Sequence, residues 1–273
     1  MSHTNTNHTS HAVIPPAARA EINARLAQAE IEHDVKILYA IESGSRAWGF
    51  ESPNSDFDAR FIYVHRPEWY LSIGLEEQRD VIEYPILDDM DINGWDLRKA
   101  LRLLWKSNPS IIEWLHSPIL YQSHTDFAAA ARALLPQIYA THSGIYHYKS
   151  TAKTTFKEHL QADNVRLKKY FYALRPLLAV RWLERFGTPA PIEFDKLLDM
   201  LDDTDLRETI ENLVILKRQT PELGLAPKIP ALNAFIQAEL TRLDALTPTV
   251  VKHESALTHL DALFLATLTQ AWL

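Results

Sequence analysis

The stretch Gly44-Ser45-Arg46-Ala47-Trp48-Gly49-Phe50-Glu51-Ser52-Pro53-Asn54-Ser55-Asp56-Phe57-Asp58-Ala59-Arg60 decides how this chain is read. It joins a small-residue corner, Gly44-Ser45, to two aspartates spaced i and i+2 at the head of an apolar run, Phe61-Ile62-Tyr63-Val64. On an extended strand those two side chains leave the same face, about 7 Å apart. Two carboxylates so placed suit Mg²⁺, which takes oxygen ligands and shares its shell with substrate phosphates. A Gly-Ser turn just upstream offers backbone N–H groups and a hydroxyl to a phosphate oxygen. Taken singly, a Gly-Ser pair is a common turn and an Asp-x-Asp a common solvated loop. Their order and spacing together point to nucleotide chemistry.

The flanks support that reading. Residues 35–41 are β-rich and bounded by polar positions, and 58–64 form a second β-rich run. A third run, 81–87, reads as a strand and is followed by Asp88-Asp89-Met90-Asp91-Ile92. If the chain stays extended there, Asp89 and Asp91 share a face and either can supply a third carboxylate. The plainer alternative is an acidic loop ahead of a helix starting at 93–96, with Asn93 or Asp96 satisfying its first N–H groups.

Gly-Ser, a spacer, Asp-x-Asp and a later acid resemble the signature of the DNA polymerase beta nucleotidyltransferase superfamily. More narrowly, residues 44–63 with 89–121 look like the predicted nucleotidyltransferases associated with bacterial RNA repair systems, with weaker likeness at 146–156 and 168–183, so that the resemblance covers about 35–190. The resemblance implies a polymerase beta-like fold of class α+β: a small mixed sheet with flanking helices, followed by a C-terminal helical domain. By position it implies triphosphate contacts from Gly44 and Ser45. It implies metal ligation by Asp56 and Asp58, and a third carboxylate at Asp91, or at Asp89 if the strand shifts register. Arg46 stands where related transferases carry a basic residue, with either a nucleotide-binding or a structural role. The implied cofactor is Mg²⁺ or Mn²⁺, and the implied donor an NTP.

Composition is that of an ordinary globular chain: 273 residues, 47% hydrophobic and 23% charged, long enough for one or two domains. No apolar run approaches the ~18 residues of a membrane span. The polar, His-bearing start lacks the apolar core of a signal peptide, so a cytoplasmic location is expected. His3, His8 and His11 are read as part of a disordered tail rather than a metal site. The absence of cysteine removes disulfides, thiol catalysis and Cys-based zinc sites.

The expected organisation is a flexible tail over 1–15, a catalytic domain over 16–125 and a helical domain over 126–273. Residues 17–32 have helical period, with Ile22, Leu26 and Ala29 on one face. Helix signals also cover 95–106, 110–116, 126–135, 142–160, 164–186, 194–200, 203–219, 231–243 and 251–272, with breaks at 187–191 and 221–230. Leu97, Leu101 and Leu104, and Trp95, Trp105 and Trp114, read as core.

Net charge is −7, which does not favour a tight grip on long nucleic acid. Residues 149–185, however, carry nine Lys or Arg against three acids, a balance of +6 that leaves −13 elsewhere. Such segregation suits an anionic substrate held against one basic wall. Lys149, Lys153 and Lys157 share a helical face, either as a solvated stripe or as neutralisers of the β- and γ-phosphates across a cleft from Ser45. Tyr170 and Arg175, in a second basic-aromatic cluster with Lys168 and Lys169, are candidates for contact with base or acceptor, with bracing of the helix before Pro176 as the alternative for Arg175.

The expected activity is two-metal transfer of a nucleoside monophosphate to an acceptor hydroxyl, an RNA 3′ end or else a small molecule or protein side chain. A nucleotide-binding regulatory module and a phosphohydrolase are the competing classes. The reading requires Asp56, Asp58 and Asp91 to converge without being neutralised by lysine or arginine.

Overall fold

The computed structural model describes residues 13–220, 224–246 and 256–272. The early histidines of the tail lie outside these, but Ile14, counted with the tail above, is buried in the core. Helix α1 (Pro16–His33) buries Ile22, Leu26 and Ala29, the face its periodicity marks. It packs on a five-stranded sheet of order β3-β4-β2-β1-β5, built from β1 (Lys36–Glu42), β2 (Phe57–Val64), β3 (Val81–Glu83), β4 (Met90–Asp96) and β5 (Leu120–Ser123). The fold is α+β and the sheet is mixed, because β2 and β4 run parallel while the other pairs are antiparallel.

Two expectations about the β4 region are corrected. Strand β3 stops at Glu83 rather than at 87, since Pro85 lacks the N–H that a ladder needs. The segment 90–96 is a strand, and no helix starts at Asn93. Asp96 caps the helix that follows, α3 (Leu97–Trp105), by accepting from Arg98 N at 2.8 Å. Between the two strands Asp88 and Asp89 take left-handed φ values of 54° and 58° and form the hairpin tip.

One face of the sheet carries α1. The other carries α3, α4 (Pro109–Leu115) and α5 (Phe127–Ile138), joined by α11 (Ala256–Trp272). Leu97, Leu101, Leu104 and Trp114 are buried there, Trp95 stacks on Trp114 at 3.7 Å, and Trp105 stays partly exposed. A second hydrophobic core belongs to the remaining helices: α6 (Thr141–His159), α7 (Lys168–Phe186), α8 (Phe194–Leu198), α9 (Thr204–Gln219) and α10 (Pro230–Asp244). The segment read as one helix over 164–186 opens with a short strand, β6 (Asn164–Arg166), paired with β7 (Leu225–Pro227). By packing, α5 and α11 therefore side with the sheet and not with the helical core. None of the described helices is long and apolar enough to cross a membrane.

The two cores meet through Phe50. Its ring is buried in the helical core and stacks on Phe171 at 4.7 Å, while Arg218 donates to the Gly49 carbonyl. A second joint is polar. Arg175, on α7, pairs with Glu113 on α4 at 2.9 Å and lies 4.5 Å over the Trp48 ring, so it braces rather than faces a ligand. Tyr148 donates to the same Glu113 oxygen at 2.8 Å.

One pH effect follows from the α11 contact. Trp272 Nε1 donates to the His65 carbonyl, and the half-buried His65 ring stacks on Trp69. Burial, assisted by nearby His33, lowers the His65 pKa to about 4 from 6.5. The unfolded chain therefore binds the extra proton first, and stability is complete above pH 6.5 and lost as pH falls toward 4. The expected loss is about 1–2 kcal/mol after allowing for solvent screening. Urea unfolding at several pH values should show a shallower acid dependence in His65→Phe than in the parent.

Candidate active site

The chain leaves β1 at Glu42 and turns through Ser43 into α2 (Gly44–Trp48), a single helical turn where the sequence suggested a loop. Ser43 N donates to the Asp58 carbonyl at 2.8 Å, which fastens the corner to the head of β2. Gly44 has φ +60°, and a Cβ there would lie 1.9 Å from Asp58 Oδ2. The corner and the carboxylate are thus in direct van der Waals contact, and only glycine allows it. Ser45 follows in the same turn, half-buried.

Parallel pairing places Asp58 opposite Asp91, so these two share a face on adjacent strands. In that register Asp91 lies beside Asp58, while Asp89 is an exposed tip residue. Asp91 is oriented by Asn93, whose amide donates to Oδ1 at 2.5 Å. Between the two carboxylates lies Arg60, with Nη2 3.0 Å from Asp58 Oδ1 and 2.7 Å from Asp91 Oδ2. This corrects the expectation of three convergent carboxylates unneutralised by arginine. Among the described residues no three acidic or histidine side chains form a group that could hold a metal ion. The Asp58 pKa is nevertheless raised, first by burial, with Arg60 opposing and the charges of Asp91 and Asp56 adding to it. Burial thus outweighs the pull of the guanidinium on Asp58.

Asp56 lies just before β2, and Arg46 fixes the backbone there. The Arg46 guanidinium donates to the carbonyls of Ser55 at 2.6 Å and Asp56 at 3.2 Å and covers the Phe57 ring at 4.1 Å. Arg46 accordingly braces the Asp56 turn. Behind Asp58 stands Glu42, fully buried, which accepts from Asp58 N at 3.0 Å and from the Tyr121 hydroxyl at 2.6 Å. Burial pushes its pKa up to about 7, against the pull of those two donors. The sequence reading passed over Glu42. Its signal is an acid ending an apolar strand directly before the glycine corner.

The remaining candidates are placed elsewhere. Lys149 donates to the Leu243 carbonyl at 2.8 Å, and both Lys149 and Lys153 pair with Asp244 at 2.9 Å. The stripe closes the C-terminal end of α10, where cations are favoured, and its two leading lysines are occupied. Tyr170 is fully buried, accepts from Ile229 N at 2.8 Å and donates to Asn233, so it cannot stack on a base. Tyr172, two residues on and round the helix, is the tyrosine that feels the site. Its ring packs edge-on against Trp48 at 5.8 Å, and its pKa is raised by burial and then by Asp58 and Asp56.

A glycine corner set against an acid-bearing strand, beside a parallel strand with the third acid, defines a polymerase beta-type nucleotidyltransferase. The chain belongs to the RNA repair pathway DNA polymerase beta family (RlaP), which it matches over residues 18–266. It is similar to the uncharacterized protein YcgL of Bacillus subtilis (strain 168), at 43% identity over 249 residues, 90% of this chain and 95% of that protein. Among solved structures it resembles a nucleotidyltransferase-like protein from Exiguobacterium sibiricum 255-15, at 12% identity and a TM-score of 0.31, over 92% of this chain and 77% of that one.

Proposed function

We propose that this nucleotidyltransferase moves a nucleoside monophosphate from an NTP to the 3′ hydroxyl of an RNA, in the cytoplasm, in a reaction that depends on Mg²⁺ or Mn²⁺. The observation that carries the reading is the contact of Gly44 with Asp58, with Asp91 in register alongside. Asp56 and Asp58 would hold a divalent ion through carboxylate oxygens alone, the donor type that Mg²⁺ and Mn²⁺ take. When bound there, such an ion supplies charge neutralisation to the phosphates and lowers the pKa of an oxygen ligand.

The chain's own residues do the positioning. Gly44 and Ser45 offer backbone N–H groups and a hydroxyl to phosphate oxygens. Arg46 keeps the Asp56 turn in place through two carbonyls, and Glu42 fixes the backbone of Asp58. Tyr172 packs against Trp48 within reach of the charges of Asp58 and Asp56. Pre-set geometry and charge carry most of the acceleration in phosphoryl-type transfer.

Incubation with each α-labelled NTP, Mg²⁺ and total RNA should give a labelled RNA band. Phosphate release without incorporation would instead identify a hydrolase. The acceptor class is read from salt. Lys149 and Lys153 are held by Asp244, so a short phosphate footprint is taken for the strand. About three phosphate contacts, at a slope of roughly −0.7 each, give about a twentyfold loss of RNA affinity from ~50 to ~200 mM salt. A flat response would favour a small molecule or protein side chain, as the net charge of −7 does.

A further inference from the structure

We propose that Arg60 is a permanent cation of this site, so that the chain itself holds one divalent ion, on Asp56 and Asp58, and Asp91 serves the guanidinium instead of a second ion. The inference rests on the nucleotidyl-transfer reading only for the reaction that the site serves.

Register fixes the arrangement. Arg60 stands two residues beyond Asp58 and shares its face, and Asp91 is the cross-strand partner of Asp58. The guanidinium is thus delivered to the gap between the two carboxylates. Its Nη2 meets both of them, and its Nη1 donates to the Asp91 carbonyl at 2.6 Å and the Ala59 carbonyl at 3.1 Å. Four acceptors hold it, and its side chain is only 16% exposed. An ion between Asp58 and Asp91 needs carboxylate oxygens within about 2.0–2.6 Å of itself. Asp58 Oδ1 and Asp91 Oδ2 are both taken by one nitrogen, and Asp91 Oδ1 is taken by Asn93. Expelling Arg60 would leave a charged group short of partners, and a guanidinium cannot shed its proton to escape.

Charge bears on it as well, since Arg60 already supplies a positive charge to both Asp58 and Asp91. The oxygen that remains beside the corner is Asp58 Oδ2, against Gly44. Asp56, on the far side of Asp58 from Arg60 in sequence, is the acid that would complete the site with Asp58.

The test is Mn²⁺ binding to the intact protein without nucleotide, followed by electron paramagnetic resonance and calorimetry. The expected result is one Mn²⁺ per chain. Asp91→Asn should change the Kd less than fivefold, Asp56→Asn should weaken binding more than tenfold, and folded Arg60→Met should gain a second ion. Two ions or none in the parent, a larger loss in Asp91→Asn, or a single ion in folded Arg60→Met would overturn it. If Arg60→Met does not fold, the two aspartate variants decide the matter. The labelled-NTP assay is a separate readout: no transfer with one bound ion rejects the reaction and leaves Arg60 assigned, and transfer with two bound ions does the reverse.

Discussion

Asp58→Ala is expected to lower nucleotidyl transfer by at least about a thousandfold, some 4 kcal/mol of transition-state stabilisation. The residue touches every part of the site: its Oδ2 lies against Gly44, its Oδ1 meets Arg60, and its backbone is held by Glu42 and Ser43. The fold should survive. The Glu42 bond uses Asp58 N and the Ser43 bond uses Asp58 O, so both persist in alanine. Arg60 keeps Asp91 and two carbonyls, and a repulsion with Asp56 and Asp91 is relieved. The check is a labelled-NTP assay beside a thermal melt, with Asp91→Ala in parallel. Full activity in both variants rejects the site.

Gly44→Ala should be damaging by a different route, because it removes no chemical group. The added methyl would meet Asp58 Oδ2 at 1.9 Å and Cγ at 2.7 Å, at a φ of +60° that alanine tolerates poorly. Left-handed backbone costs about 1–2 kcal/mol and overpacking about 1–3 kcal/mol, so a loss of roughly 2–5 kcal/mol in stability is expected. Activity should fall about a hundredfold, the usual consequence of displacing a catalytic group by ~1 Å. The double variant Gly44→Ala/Asp58→Ala should regain part of the lost stability, since the carboxylate that clashes is gone, while staying inactive. Additive destabilisation in urea melts would show that the clash is not with Asp58.

The parts of the fold that were legible in the sequence are those whose pattern is local. Ile22, Leu26 and Ala29 announce α1, and apolar runs announce β1 and β2. Strand β4 was hidden because its inward positions are Met90, Ile92, Gly94 and Asp96, an alternation that a glycine and a buried acid erase. The site divides along the same line. Gly44, Asp56 and Asp58 stand out by type and spacing, whereas Asp91 and Asp89 are separated only by the β2–β4 register and the role of Arg60 depends on a cross-strand partner 31 residues away. Lys149 and Lys153 formed a legible stripe, but Asp244, which occupies them, arrives from another helix. Tyr170 and Tyr172 differ only by helical phase, and the phase was set by which face of α7 the core took.

The return of α11 to the sheet has a consequence for how the protein is made. Strands β1 to β5 leave the ribosome first, yet the helix that packs beside α3 and α5, and whose Trp272 reaches His65, is translated only after α6 to α10. The lobe bearing the aspartates must wait, partly uncovered, while its neighbour is synthesised and folds as a unit. Nascent chains stalled before Ala256 should therefore engage chaperones through the bare flank of α3 and α5, and gain protease resistance there once the closing helix emerges.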